Sequence, residues 1–296
     1  MSWYSEYKKS LKSIEVEEIF DLFFYRPLAF ILVKIIYPTN ITPNQLTIGA
    51  IIMGIIGGIF YAQATPLSPE FFTIGAMFFM MFNILDCSDG QLARLKRNGT
   101  RTGRIIDGVA DYIAVTAVYI GIGIGFANHT ANPALYWTLL ALTGASNTIH
   151  AILVDYYRNR FLDYVMERKS TFEEDLDEFR QEYESIKNQK GKWFDRAIIS
   201  LYLKYSGFQN NLAAKKSSEK LFKATPVQYL KFNKRIIRSW VFLGPTSQVT
   251  TLILCSIFNR FDIFFWIMIV GFNSIALINW IIQKNIDKKL IAEKQG

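Results

Sequence analysis

The sequence predicts an all-α, polytopic membrane protein with six transmembrane helices, N-terminal interfacial amphipathic helices and a cytosolic helical insertion. Three observations predict it. Of the 296 residues 51% are hydrophobic and 15% aromatic, which excludes a disordered chain. The apolar residues gather into stretches of about 20, the length a bilayer core requires. The formal net charge of +8 lies beside the ends of those stretches. That placement suits anionic lipid headgroups and cytosolic anchoring, so no nucleic-acid partner is expected. Cys87 and Cys255 are the two cysteines and give no disulfide framework.

Four segments follow: 1–41 interfacial, 42–154 with spans one to four, 155–238 the insertion, and 239–296 with spans five and six. Residues 1 to 24 lack a signal-peptide pattern. They read as one amphipathic helix, with Trp3, Tyr7, Leu11, Ile14, Ile19 and Phe23 recurring among Lys8, Lys9 and Lys12. Pro27 to Tyr37 is apolar, too short to span, and carries Lys34; it reads as a second interfacial helix.

The first span starts at Thr42-Pro43-Asn44-Gln45, an N-cap, a proline at the first helical position and a capping-box glutamine, and runs to about Ala62. Its tip, Gln63 to Glu70, has no Lys or Arg. A second span from about Phe71 leads to a basic turn with Arg94, Lys96, Arg97, Arg101 and Arg104, which the positive-inside rule places in the cytosol. The third span runs from about Gly103 to Phe126, and the fourth returns to Val154 through Ala127 to Pro133, again without Lys or Arg. Asn147, His150, Asp155 and Arg158 fall near one face at its cytosolic end. A lone His in a helix is more often a packing residue than a ligand.

Residues 155–238 are polar and too long for a simple loop. Ser170-Thr171-Phe172-Glu173 opens an acidic helix that should end near Gly191; Trp193 to Phe208 is amphipathic and suits the bilayer surface; Thr225-Pro226-Val227-Gln228 repeats the earlier helix start. The fifth span begins near Ser239 and should bend at Gly244-Pro245. The sixth covers Ile263 to Ile282, followed by Lys284, Lys288 and Lys289, while Arg260 between the two is an exception to the charge rule.

Candidate chemistry lies at the second-to-third span junction. Asp86, Asp89, Gly90 and Ala93 form one helical stripe, and Gly103, Asp107 and Asp111 another. If the basic turn folds those helices together antiparallel, four carboxylates converge beside glycines that admit a ligand or a second helix. A single Asp is readily explained as a cap or an ion-pair partner. Four at this spacing inside apolar surroundings would repel one another unless a cation compensated them, and hard oxygen ligands suit Mg²⁺, Mn²⁺ or Ca²⁺. Cys87 points off the stripe and is expected to pack.

At these residues the sequence resembles the CDP-alcohol phosphatidyltransferase family, whose pattern D-x2-D-G-x2-A-R-x8-G-x3-D-x3-D is met at every fixed position from Asp86 to Asp111. The resemblance implies six transmembrane helices, usually a homodimer, and two divalent metals, Mg²⁺ or Mn²⁺, on Asp86, Asp89, Asp107 and Asp111. It implies transfer of a substituted phosphate from a CDP-linked alcohol to a hydroxyl acceptor with release of CMP. Asp111 would also be the general base, and Gly90, Ala93, Arg94 and Gly103 would line the nucleotide pocket. The family acts either on CDP-diacylglycerol with a small acceptor or on a CDP-linked headgroup with a lipid acceptor. We favour the first, because Arg158 and Arg160, with Arg104, offer fixed cations for an acceptor such as inositol phosphate or glycerol phosphate. Basic residues at cytosolic helix ends are also expected for topology alone. Two rivals from other classes are an ion-coupled transporter and a docking scaffold. Against the transporter, the carboxylates gather at one membrane face, whereas transporter sites lie near the midplane.

Overall fold

The computed structural model describes residues 3–11, 16–166, 171–187, 189, 191–193, 195–200, 202–203 and 225–292. Its helices in chain order are α1 (Trp3–Ser10), α2 (Arg26–Ile36), α3 (Pro43–Gln63), α4 (Glu70–Lys96), α5 (Arg101–Gly125), α6 (Pro133–Val165), α7 (Thr171–Ile186), α8 (Pro226–Phe242), α9 (Pro245–Ile257), α10 (Phe261–Trp266) and α11 (Asn273–Ala292). π-Helical turns, Asp21–Tyr25 and Ile267–Phe272, lead into α2 and join α10 to α11. Among the described residues six stretches are long and apolar enough to cross a membrane, the number expected. They are α3, α4, α5 with the turn after it, α6, the α8–α9 pair, and α10 to α11.

Local signals set the helix starts. Thr42 and Thr225 each accept from the backbone N–H three residues on, and Gln45 and Gln228 return the bond to the cap backbone. Pro43, Pro133, Pro226 and Pro245 occupy first-turn positions, where a missing N–H is harmless. The fifth span is interrupted where the sequence predicts a bend. α8 ends at Phe242, and α9 restarts behind Gly244, which caps it without any side-chain hydrogen bond of its own.

α3 is the central strut. It packs against both α4 and α5, while α4 and α5 touch each other far less. A Cβ at Gly54 would lie 2.5 Å from that of Ala114, and one at Gly58 would lie 2.6 Å from the Ala117 carbonyl. Small residues therefore allow α3 and α5 to approach almost backbone to backbone. On its other side, Ile48, Ile52, Ile55 and Ile59 form an exposed stripe at helical spacing that suits lipid tails.

The N-terminal region departs from the single helix expected over residues 1 to 24. α1 ends at Ser10, and Val16, Glu17 and Glu18 are buried in a non-helical arm. Long-range partners outweigh local amphipathicity there. Glu17 pairs with Arg26 at 2.7 Å, and Glu18 reaches the first turn of α9. α2 forms over the second predicted interfacial segment. In the insertion α7 is present, whereas the Ser170 capping box and residues 204–208 of the amphipathic stretch lie outside the described residues.

His150 is fully buried and bonds the Asn273 side chain at 3.1 Å, which also donates to Ser146 Oγ at 3.0 Å. That triad ties the fourth span to the sixth, in keeping with a packing histidine.

Candidate active site

Two helix ends build the site. α4 carries Asp86 and Asp89 in its last turns, and α5 carries Asp107 in its second turn. Thr100 caps α5 by accepting the Gly103 N–H at 3.0 Å, so the chain turns and restarts within a few residues. One carboxylate oxygen from each of Asp86, Asp89 and Asp107 falls within 4.8 Å of the others. Oxygens that close can share one cation at the bond lengths of about 2.0–2.6 Å typical of Mg²⁺ and Ca²⁺. The donor set is all carboxylate, which is the chemistry of hard divalent ions. The residues present therefore fit a divalent metal.

Asp111 sits one turn further along α5 with an exposed side chain, outside the compact group of three. It is close enough to add to the negative potential at Asp86. Asp89 is the most enclosed of the four, 5% exposed, and Thr47 Oγ1 donates to its Oδ2 at 2.5 Å. Thr47 went unmarked in the sequence. The available signal was a hydroxyl one turn into an apolar span, off the isoleucine stripe of α3.

The glycines have different tasks. A Cβ at Gly103 would lie 2.6 Å from Asn44 Oδ1, so the first turn of α3 presses on the first turn of α5 there. At Gly90 the nearest neighbour of a Cβ would be Arg94 Nη1 at 3.4 Å. The Arg94 guanidinium thus lies over Gly90, and its Nε donates to the Ser10 carbonyl at 2.5 Å. Arg94 also lines a cavity of about 460 Å³ with Lys9, Lys34, Arg97, Glu6, Tyr37 and Leu95. Four cations to one carboxylate make that vestibule attractive to phosphate groups. Ala93 is half-buried on the same turn.

The three arginines expected near an acceptor separate. Arg158 Nη2 lies 3.9 Å from Glu18 Oε1 and its Nη1 3.9 Å from Asp155 Oδ1. Arg160 instead bonds Asp287 at 2.7 Å and so clasps the end of α11. The side chain of Arg104 lies outside the described residues. Sequence reasoning missed the acids facing Arg158. Glu18 and Asp21 are both buried, and Asp21 Oδ1 is 3.7 Å from Cys87 Sγ, beside Asp86.

Residues 40–166, which contain Asp86, Asp89, Asp107 and Asp111, match the family model for CDP-alcohol phosphatidyltransferase. This segment of the chain is a CDP-alcohol phosphatidyltransferase domain. A bifunctional IPC transferase and DIPP synthase from Thermococcus kodakarensis is 28% identical over 124 residues. That similarity covers 41% of this chain and 25% of the relative. The chain thus matches only about a quarter of that relative's length.

Proposed function

We propose that this protein transfers a substituted phosphate from a CDP-linked alcohol, CDP-diacylglycerol by preference, to a hydroxyl acceptor and releases CMP. One observation carries the reading: carboxylates from α4 and α5 meet within 4.8 Å inside a domain of this family. Asp86, Asp89, Asp107 and Asp111 would hold two divalent ions, Mg²⁺ or Mn²⁺. Bound there, such ions supply neutralisation of the diphosphate charge and of the departing CMP oxygen.

The chain's own groups do the rest. Thr47 holds the Asp89 carboxylate by its hydrogen bond to Oδ2 and would thereby orient it for a metal. Arg94, with the cations of its vestibule, would draw in the phosphates, and the small residues Gly90, Ala93 and Gly103 would admit the nucleotide. Asp111, more exposed than its neighbours, would accept the acceptor's hydroxyl proton. Arg158 is our choice for an acceptor phosphate, while the bond from Arg160 to Asp287 argues for a structural task. The basic turn after α4 argues for a cytoplasmic site, and the family resemblance for a homodimer.

Donors of both kinds, CDP-diacylglycerol and CDP-headgroup, crossed with phosphorylated and plain alcohol acceptors, test the assignment. We expect turnover with CDP-diacylglycerol and a raised acceptor KM in Arg158→Ala. Turnover only with CDP-choline or CDP-ethanolamine would overturn the donor, and cation flux without CMP release would favour the transporter.

A further inference from the structure

The first turn of α9 receives a carboxyl from the chain's own N-terminal arm. Gly244 caps this 13-residue helix with no side chain, and the Ser247 N–H donates to Glu18 Oε2 at 3.1 Å. Thr246 N–H also reaches that carboxyl. A Cβ at Gly244 would come within 2.2 Å of the Glu18 Cδ, so the glycine makes room for the group seated there. Arg158 closes the other side at 3.9 Å. Helix N–H groups, a guanidinium and a glycine hollow together form a recurrent solution for binding phosphate. Two further donors there are buried without a hydrogen-bond partner, Ser247 Oγ and Arg158 Nε. A carboxylate leaves them unused, whereas a phosphate has more acceptor oxygens to offer.

Glu18 is an indifferent occupant. It is 3% exposed, and burial pushes its carboxyl up to about 8, with Asp21 adding repulsion against the pull of Arg158. Asp21 belongs to the same turn, since Leu22 N–H bonds the Glu18 carbonyl, so outward movement of the arm removes both acids. Asp21 also touches Cys87, the residue that follows Asp86 on α4.

We infer that the first turn of α9 with Arg158 is the subsite for an anionic group of the acceptor, and that Glu18 is an internal stand-in which the acceptor displaces. The acceptor role rests on the transferase reading proposed above; the anion site does not. The subsite takes a phosphate monoester or similar dianion, and Glu17, held by Arg26, is the anchor about which the arm yields.

Inorganic phosphate is the probe, titrated against the thermal midpoint of the full chain in detergent. The titration is run at pH 9, above the folded pKa of about 8, so that Glu18 is ionised. Glu18→Gln keeps the shape and the acceptor for the Ser247 N–H but removes the charge. It should lower the half-maximal phosphate concentration about tenfold, a 1.4 kcal/mol gain. Glu18→Asp, which withdraws the carboxylate by one methylene, should act in the same direction, and adding Arg158→Ala should abolish protection. Equal phosphate sensitivity in the wild type and both Glu18 variants would overturn the proposal, as would protection that survives loss of Arg158. In parallel, the KM for a phosphorylated acceptor should fall in Glu18→Gln while that for its unphosphorylated analogue stays fixed. Phosphate protection that behaves as expected without any CMP release would leave the subsite standing and remove the transferase reading.

Discussion

Thr47 Oγ1 lies 2.5 Å from Asp89 Oδ2, a bond from the first span into the carboxylate group of the second. Its position makes α3 a support for the site as well as for the fold. Thr47→Val keeps the shape and removes the donor. We expect metal affinity, read by Mn²⁺ titration, to fall about tenfold, the lower end for groups that orient a ligand. Thr47→Ser should retain it.

Gly103 and Asn44 form a second contact between α3 and the site. Gly103→Ala drives a methyl to within 2.6 Å of Asn44 Oδ1 and 2.9 Å of the capping Thr100 Oγ1, both side-chain ends that can shift, and should destabilise by about 1 kcal/mol. Asn44→Gly in the same chain should relieve part of that loss, and a double-mutant cycle on thermal unfolding measures the coupling. Additive effects would mean that the clash is absorbed elsewhere.

Arg158 and Arg160 should part company. Arg160→Ala breaks a largely enclosed pair with Asp287, whose oxygen also accepts from Gln283, and should cost on the order of 2 kcal/mol. Acceptor KM should stay unchanged in the protein that remains folded. Arg158→Ala should do the reverse, raising acceptor KM with a small effect on the thermal midpoint.

Glu18 gives stability a pH dependence. Its folded pKa of about 8 exceeds the ordinary 4.5, so between those values the folded state holds the extra proton. Stability is greatest below about 4.5 and declines as pH rises toward 8. Asp21, raised by burial, acts in the same direction. The other facing groups are Arg158 and Asp155 on α6, Arg26 at the start of α2 with its partner Glu17, and the Thr246 and Ser247 N–H groups. The thermal midpoint should drop from pH 5 to pH 8, and Glu18→Gln should flatten that slope.

The six spans were legible because apolar runs, Thr-Pro-x-Gln starts and charge-free tips are local signals. The convergence of Asp86, Asp89 and Asp107 was legible for the same reason, since i, i+3 and i+4 spacing fixes faces within a helix and one short turn joins the two. Thr47 and Asn44 were read only as parts of a helix start and an apolar run, because their partners lie one or two helices away. The N-terminal arm was least legible. Glu17 and Glu18 look like solvated charges of an amphipathic helix until Arg26, Arg158 and the first turn of α9 are brought beside them.

CMP release by the purified protein, given CDP-diacylglycerol, a phosphorylated alcohol and Mg²⁺ or Mn²⁺, tests the central claim most directly. The account predicts release that a chelator stops and that falls at least about a hundredfold in Asp89→Asn and Asp107→Asn, with the thermal midpoint retained. Folded wild-type protein that releases no CMP from any CDP-linked alcohol, or release that survives both substitutions, would contradict it.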